Sequence, residues 1–340
     1  MIKVGIIGHG FSAKTFHLPF ICSSNDFEFS AISTRSPESI ASYDAEPLIF
    51  STPEALITSE KVDLVVITAP NDVHFSLAKL CLENNIHVIV EKPITVTQAE
   101  AEQLAALAEE KSLLLSVFHN RRWDGDFLTV KKLLNNKVLG EIKVFESHFD
   151  RFRPVVSQKW KENKGNGTGV WHDLGSHLVD QVLVLFGLPH AVTGKCLALR
   201  DNAEAIDYFN VQLHYQRFEV ILSSSPYAAG EKQRFNIQGT KARFIKHGVD
   251  PQEQQLKDGL KPSSMAFGRE KESQYGVLLT ESSNEPVVTE VGNYGQYYTE
   301  IAQAINTKTP LPVSANDAVQ VMKIIELVLL SSQRGETIYL

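Results

Sequence analysis

The sequence predicts an α/β protein: an N-terminal doubly wound parallel sheet, followed by an α+β domain with an open, mainly antiparallel sheet. Three observations predict it. A glycine-rich turn, Gly8-His9-Gly10-Phe11-Ser12-Ala13, closes the first apolar run. Over the first 120 residues, nearly continuous runs of Val, Ile and Leu alternate with helical spacing, the pattern of parallel strands buried on both faces. After Trp123 the pattern becomes period-two alternation, as in antiparallel strands with one covered face.

Taken in order, Ile2 to Ile7, Phe27 to Thr34, Asp63 to Ala69, His87 to Val90 and Leu113 to Phe118 read as strands. Between them Val73 to Glu83 and Thr97 to Lys111 have helical spacing, and Thr97 stands three residues before Glu100 in the form of a capping box. The result is βαβαβ, half of a doubly wound sheet. A helix over Phe127 to Leu134 opens the second half. Strands follow at Ile142 to Phe149, Ala191 to Leu199, Asp207 to Tyr215, Glu219 to Ser223, Arg234 to Gln238 and Val287 to Val291. Helices are predicted at Asp173 to Phe186, Tyr297 to Asn306 and Asn316 to Leu330, and a long exposed loop at Asp250 to Ser273, which is rich in Gln, Lys, Pro and Ser.

The chain has 340 residues, room for two domains of the usual ~150. Hydrophobic residues make up 43% and charged residues 21%, which excludes disorder and low complexity. Lys plus Arg at 33 against Asp plus Glu at 40 leaves a net charge of −7 with no block of like charge, so neither nucleic acid nor an anionic membrane is an expected partner. No apolar run approaches the ~18 residues of a spanning helix, and the start lacks the features of a secretory signal, so a cytoplasmic protein is expected. Cys22, Cys81 and Cys196 have no metal-ligand spacing and are read as small buried hydrophobes. No metal is required.

The turn at residues 8–13 has the GxGxxA form of a Rossmann unit. Gly8 permits a tight turn, Gly10 admits a pyrophosphate to the backbone, and Ala13 allows close helix–strand packing; Phe11 and Ser12 begin the helix whose amides face the ligand. An NAD-preferring site wants a carboxylate at the end of the second strand. Ser33-Thr34-Arg35-Ser36 stands there instead, and Arg35 with the neighbouring hydroxyls suits a 2′-phosphate. NADP is therefore favoured, with NAD possible but less so. Glu28 lies at the wrong end of the strand to take the ribose. A ligand-free glycine turn and a solvated Arg35 are the structural alternatives.

The strand His87 to Val90 runs into Glu91-Lys92-Pro93, which places a lysine at the carboxyl end of a central parallel strand. Pro93 restricts Lys92 to extended geometry. Later, Asp173-Leu174-Gly175-Ser176-His177 follows the glycine-rich segment from Gly165 to Gly169. On a helix, Asp173 and His177 share one face while Leu174, Leu178 and Leu185 form an apolar stripe beside it. A carboxylate beside an imidazole is a proton-transfer unit near neutral pH. An N-cap aspartate with a surface histidine is the bland alternative.

The glycine turn, Glu91-Lys92-Pro93 and Asp173-Leu174-Gly175-Ser176-His177, in this order and spacing, resemble the Gfo/Idh/MocA family of sugar and polyol oxidoreductases. Residues 114–129 and Arg151-Phe152-Arg153-Pro154 are similar to its bacterial NADP-dependent scyllo-inositol dehydrogenase branch. The resemblance spans essentially the whole chain. It implies Lys92 as catalytic lysine and Asp173 with His177 as acid/base pair. It also implies Ala69, Pro70, Asn71, His74 and Glu91 as cofactor neighbours, and Asn120, Arg121 and Trp160 as substrate-cleft residues. Residues 1–122 would form the dinucleotide-binding Rossmann domain, and residues 123–340 a substrate-binding domain whose open sheet supports a homo-oligomer, a dimer or tetramer. Ala13 in place of the third glycine and the missing acidic residue are departures from the wider family.

The reaction so implied is hydride transfer between a secondary alcohol of a cyclic polyol or sugar and NADP. Lys92 and His177 would bracket the reacting oxygen, with Asp173 orienting one of them. Another aldose, a keto-sugar or an imine is the nearer alternative substrate. A non-catalytic NADP-sensing regulator is the farther one, disfavoured because a sensor needs no proton relay.

Overall fold

The first strand, β1 (Ile2–Ile7), lies where its apolar run predicts, with Val4, Ile6 and Ile7 buried. This is a computed structural model, and it describes residues 1–40, 45–157, 165 and 167–340. Two compact units make up the chain: residues 1–120, 252–267 and 293–319, and residues 121–251, 268–292 and 320–340.

In the first unit β1 is joined by β2 (Phe27–Ser33), β3 (Leu48–Phe50), β4 (Leu64–Ile67), β5 (His87–Val90) and β6 (Leu115–Val117). All pair in parallel, in the order β3-β2-β1-β4-β5-β6. Every residue of β4 is buried, as an apolar strand covered on both faces must be. The order reverses between β1 and β4, so the carboxyl ends of these strands open on the crevice where doubly wound sheets take ligands. The crossover helices are a π-helical turn (Ala13–His17) running into α1 (Leu18–Ile21), then α2 (Pro53–Ile57), α3 (His74–Glu83) and α4 (Gln98–Lys111). The capping box predicted for α4 is formed by both of its bonds. Thr97 Oγ1 accepts from Glu100 N–H at 3.3 Å, and Glu100 Oε2 accepts from Thr97 N–H at 3.3 Å.

The second unit carries α5 (Gly125–Asn135), a π-helical turn (Trp171–Gly175) and α6 (Ser176–Phe186). Its strands are β7 (Ile142–His148), β8 (Ala191–Leu197), β9 (Tyr208–His214), β10 (Glu219–Ser224), β11 (Gln233–Gly239), β12 (Arg243–His247), β13 (Gly276–Leu279), β14 (Asn284–Val287) and β15 (Ile338–Tyr339). They form one sheet in the order β14-β13-β12-β11-β7-β10-β9-β8-β15, antiparallel except where β7 pairs with β10. The alternation read in residues 207–215 is the burial pattern of β9: Phe209, Val211 and Leu213 are buried, while Asn210 and Gln212 are exposed. Trp171 meets Phe209 edge-on at 4.9 Å, and Phe186 of α6 meets Phe145 at 5.3 Å, which pins the helix to one sheet face. The chain re-enters the first unit with α7 (Gln252–Lys257) and α8 (Gly295–Thr307), and α9 (Ala315–Arg334) begins there and continues as part of the second unit.

Several expectations are corrected. The predicted loop 250–273 begins with α7, and its Asp250, Gln252 and Phe267 are buried. Gln252 Oε1 accepts from Tyr294 N–H at 2.8 Å, so a polar sequence there serves an internal backbone group. The last predicted strand sits at 284–287 rather than 287–291. β3, β12, β13 and β15 were not anticipated; β3 is short and half in solvent, with Leu48 and Ile49 each 50% exposed. Cys22 is exposed at the end of α1, whereas Cys81 is buried and Cys196 half-buried, and burial pushes these last two thiols up to about 12.

Replacing Thr97 by Ala removes the α4 cap without touching the core. The variant should lose about 1 kcal/mol of unfolding free energy by urea titration, and Thr97→Ser should recover most of it.

Candidate active site

The glycine turn is shaped by contact with the end of β4. Gly8 holds φ at +96°, and a Cβ there would stand 2.9 Å from Thr68 Oγ1, which donates to the Ile7 and Gly8 carbonyls at 3.0 and 3.1 Å. Only glycine fits that conformation and that gap. Gly8 N–H donates to the Ser33 carbonyl at 3.0 Å, which ties the turn to the end of β2. Apart from its own chain neighbours, no described residue comes within 4 Å of where a Gly10 Cβ would be, which suits a ligand approaching the backbone there. Ala13 is fully buried, as close helix–strand packing requires, while Phe11 is exposed.

At the end of β2, Ser33 is buried, Thr34 is half-buried and Arg35 and Ser36 are exposed. Thr34 Oγ1 accepts from Ser36 N–H at 3.1 Å, folding this edge into a compact polar turn. The residues that end this strand, Ser33 to Ser36, include no carboxylate, and Glu28, near the start of β2, bonds to Ser30 instead. Open backbone at Gly10, helical amides from Phe11 onward and the Ser33–Ser36 edge together fit a dinucleotide.

Lys92 follows β5 at a half-buried position and joins Pro93 by a cis peptide. Beside it, Glu91 accepts from His17 Nε2 at 3.0 Å, from Ser12 Oγ, and from Lys92 N–H at 3.1 Å. Burial alone would raise the Glu91 pKa. The hydrogen bond and charge of His17, the Ser12 hydroxyl and the Lys92 charge overcome it and bring the carboxyl down to about 2. His74, at the start of α3, has Nδ1 2.8 Å from the Pro93 carbonyl and Nε2 2.9 Å from the Ala69 carbonyl. It bridges the ends of β4 and β5. Burial lowers its pKa although both carbonyls pull the other way. Ala69 and Pro70 line the same strand end, and Asn71 opens the 3-10 turn leading to α3.

In the second unit, Asp173 lies inside the π-helical turn, half-buried, and His177 stands four residues on in the first turn of α6, buried. Gly175 is required between them, because a Cβ there would fall 2.2 Å from the Trp171 ring. Leu174 and Leu178 are buried as the stripe predicts, and Leu185 is half-buried. The same helix then presents Asp180 and Gln181 to a group of arginines. Arg122 grips Asp180 through a fork, Nε donating to Oδ2 at 2.9 Å and to Oδ1 at 3.2 Å, and Nη2 to Oδ1 at 2.6 Å. Gln181 donates to the Arg121 carbonyl and accepts from Arg234, both at 2.7 Å. Arg121 pairs with Asp124 at 3.2 Å, and its guanidinium lies 4.8 Å from the Phe149 ring. Arg234, fully buried, stacks 4.3 Å from Phe149 and bonds Ser147 at 2.5 Å. Its Nε lies 3.3 Å from Asp126 Oδ2 but off hydrogen-bond alignment, so that pair is held by charge.

Asn120 is buried at the end of the first unit, and Trp160 lies outside the described residues. Sequence reasoning missed His17, Tyr298, Gln181 and Arg234. His17 follows the glycine turn on the helix that it opens, but its partner Glu91 is 74 residues away, and no local pattern marks such a pair.

The parallel strand order, the glycine turn and the open strand ends define a nicotinamide-dinucleotide oxidoreductase of the Rossmann class. Residues 2–119 match the oxidoreductase family model for an NAD-binding Rossmann fold, and residues 131–340 match the model for the family's C-terminal alpha/beta domain. The chain belongs to the Gfo/Idh/MocA oxidoreductase family and is a dehydrogenase or reductase. It is 43% identical to the uncharacterized oxidoreductase YdgJ of Escherichia coli, covering 100% of this chain and 99% of that one. It is 38% identical to IolW of Bacillus subtilis, a scyllo-inositol 2-dehydrogenase (NADP(+)), covering 100% and 96%. Among solved structures, yvaA from Bacillus subtilis superposes with a TM-score of 0.96 at 38% identity, covering 100% of this chain and 98% of that one. An oxidoreductase from Bacillus cereus superposes at 0.91 and 32%, covering 100% of both.

The depressed Glu91 pKa has a defined consequence for stability. Its folded value lies below the unfolded one, so the contribution is fully present above about pH 4.5 and is lost as pH falls toward 2. Urea unfolding at pH 5.5 and pH 2.5 should therefore show a smaller acid-induced loss in Glu91→Gln than in the unaltered protein.

Proposed function

We propose that this protein transfers hydride between NADP and a secondary alcohol of a cyclic polyol or sugar, scyllo-inositol being the first candidate. The observation that carries the cofactor half is the end of β2. Ser33, Thr34 and the exposed Arg35 stand where an NAD site would place a carboxylate, and a carboxylate would repel the 2′-phosphate that Arg35 can pair. The substrate half is supported by the full-length likeness to an NADP-using scyllo-inositol dehydrogenase. Gly8, Gly10, Phe11, Ser12 and Ala13 would hold the pyrophosphate at the turn. Ala69, Pro70, Asn71 and His74 would border the cofactor at the end of β4.

When bound, the nicotinamide supplies the hydride acceptor or donor. The chain must handle the proton, because the hydroxyl proton leaves as the hydride does. Lys92 and His177 are assigned to that transfer, and Asp173 to orienting the imidazole. Asn120 and Arg121 are assigned to hydroxyl groups of the substrate. Residues 1–122 would serve the dinucleotide, and residues 123–340 the substrate and assembly. The half-exposed residues Ile221 and Ile245 on the nine-stranded sheet suit a face shared between copies in a dimer or tetramer. A cytoplasmic location accords with this chemistry, and among the described residues no helix is long and apolar enough to cross a membrane.

Arg35→Ala should weaken NADP binding by ~1.5–3 kcal/mol while leaving NAD nearly unchanged. Equal affinities of the unaltered protein for the two cofactors would remove the basis for NADP preference.

Turnover on inositol isomers, aldoses, keto-sugars and cyclic imines, each with NADP and with NAD, tests the substrate. The highest kcat/KM is expected with an inositol, and a preference for an imine or an open-chain aldose rejects the polyol reading. On the best substrate, Lys92→Ala should lower kcat by roughly 10²–10⁴-fold with cofactor affinity changed far less.

A further inference from the structure

The carboxylate of Glu91 is nearly buried, ionised and fully engaged. Oε1 accepts from His17 and Ser12, and Oε2 accepts from the Lys92 N–H. Behind His17 stands Tyr298, whose hydroxyl is 2.5 Å from Nδ1. Charge sets the protons along this chain. Burial, with Tyr297 and the Glu91 charge beside it, pushes the Tyr298 phenol well up, so its O–H is retained beside Nδ1. An ionised carboxylate can only accept, so the imidazole carries a proton on Nε2, which points at Glu91.

Each member is also held by packing. The His17 ring lies 4.4 Å from Phe118, and Tyr298 stacks on Phe20 at 6.1 Å and meets Phe27 edge-on at 5.8 Å. Both His17 and Tyr298 are buried, so the chain ends inside the protein and leads no proton to water. It holds rather than conducts. The other charged or titratable groups around Glu91 are Lys92, whose charge favours the ionised carboxylate, the Tyr297 phenol, and His74, held between two backbone carbonyls.

We infer that His17 and Tyr298 are positioning residues: they hold the Glu91 carboxylate in place against Lys92 and Ser12, joining the lysine to the glycine turn. The oxidoreductase reading is needed only for the kinetic part of the test. Favouring the ammonium form is reciprocal, since a carboxylate stabilised by Lys92 stabilises that cation in return.

The test reads Lys92 directly. In the full chain, lysines are converted to their ¹³C-dimethyl derivatives, the Lys92 resonance is identified by its loss in Lys92→Arg, and its titration is followed by NMR. Glu91→Gln removes the charge, and its Lys92 midpoint should fall by about half a pH unit or more. Tyr298→Phe keeps the ring and deletes the hydroxyl that meets His17 Nδ1, and should move the midpoint in the same direction. Should it not fold, His17→Asn, too short to bridge both partners, takes its place, while His17→Gln should restore the unaltered midpoint. With a substrate in hand, Tyr298→Phe should lower kcat roughly 5- to 30-fold, with the Kd for NADP changed less than about threefold. A midpoint that moves only in Glu91→Gln overturns the role given to His17 and Tyr298. So does a lowered thermal midpoint with kcat and Lys92 unchanged. If no polyol is turned over but the Lys92 midpoints move as stated, the substrate reading fails and the positioning role stands.

Discussion

Parallel strands cannot be joined by a tight hairpin; each must be reached by a crossover, and that constraint organises the first unit. Because the chain winds outward from β1 through β2 to β3, then returns to the other side of β1 to add β4, β5 and β6, the carboxyl ends of the central strands are left uncovered at one edge. Gly8 ends β1, Ser33 ends β2, Ala69 and Pro70 follow β4, and Glu91 and Lys92 follow β5. The residues assigned to the dinucleotide come from four separate stretches of chain. Strand order alone brings them to one edge.

Buried charge is the second organising feature, and the units use it differently. In the first, one carboxylate gathers donors from a hydroxyl, an imidazole and a backbone amide, so its desolvation is more than offset. In the second, Arg234 is a cation with no solvent around it, wedged between Phe149 and Phe235 and faced by Asp126. Burial pulls its pKa down, while Asp126, Asp124 and Asp250 oppose that. Such an arrangement costs desolvation and in return admits few alternative packings, since each polar atom must find its own partner. α6, which carries His177, is gripped in this way at Asp180 and Gln181 one turn farther on.

The strands of the first unit were legible because burial on both faces leaves an unbroken apolar run, and the α4 cap because its two residues are three apart. β3 was not, since three half-exposed residues at a sheet edge carry no periodicity. α7 was hidden by its Gln- and Lys-rich composition, although Gln252 is buried for the sake of the Tyr294 amide. Gly8, Arg35, Lys92, Asp173 and His177 could be singled out because each sits in a short pattern tied to a strand end or a helix face. His17 and Tyr298 could not: their hydrogen bond spans 281 positions, and its worth depends on a third residue elsewhere. Local chemistry is written in spacing; long-range hydrogen bonding is not.

Two of the helices open on π-helical turns, Ala13–His17 and Trp171–Gly175. A single wide turn holds one residue more than the α-helical path would need, and such turns recur at functional sites. Removing one residue from either would let the helix wind regularly, at little expense to its length or its capping. The flanking turns would keep their directions, because five residues of wide turn and four of α-helix cover nearly the same rotation, while the residues inside the turn would each shift to a neighbouring position. These two places are therefore where a one-residue change in length could leave the architecture standing while taking His17 away from Glu91, or turning Asp173 away from the face that carries His177. Chains of this build that differ by such a deletion would share a shape and not a chemistry.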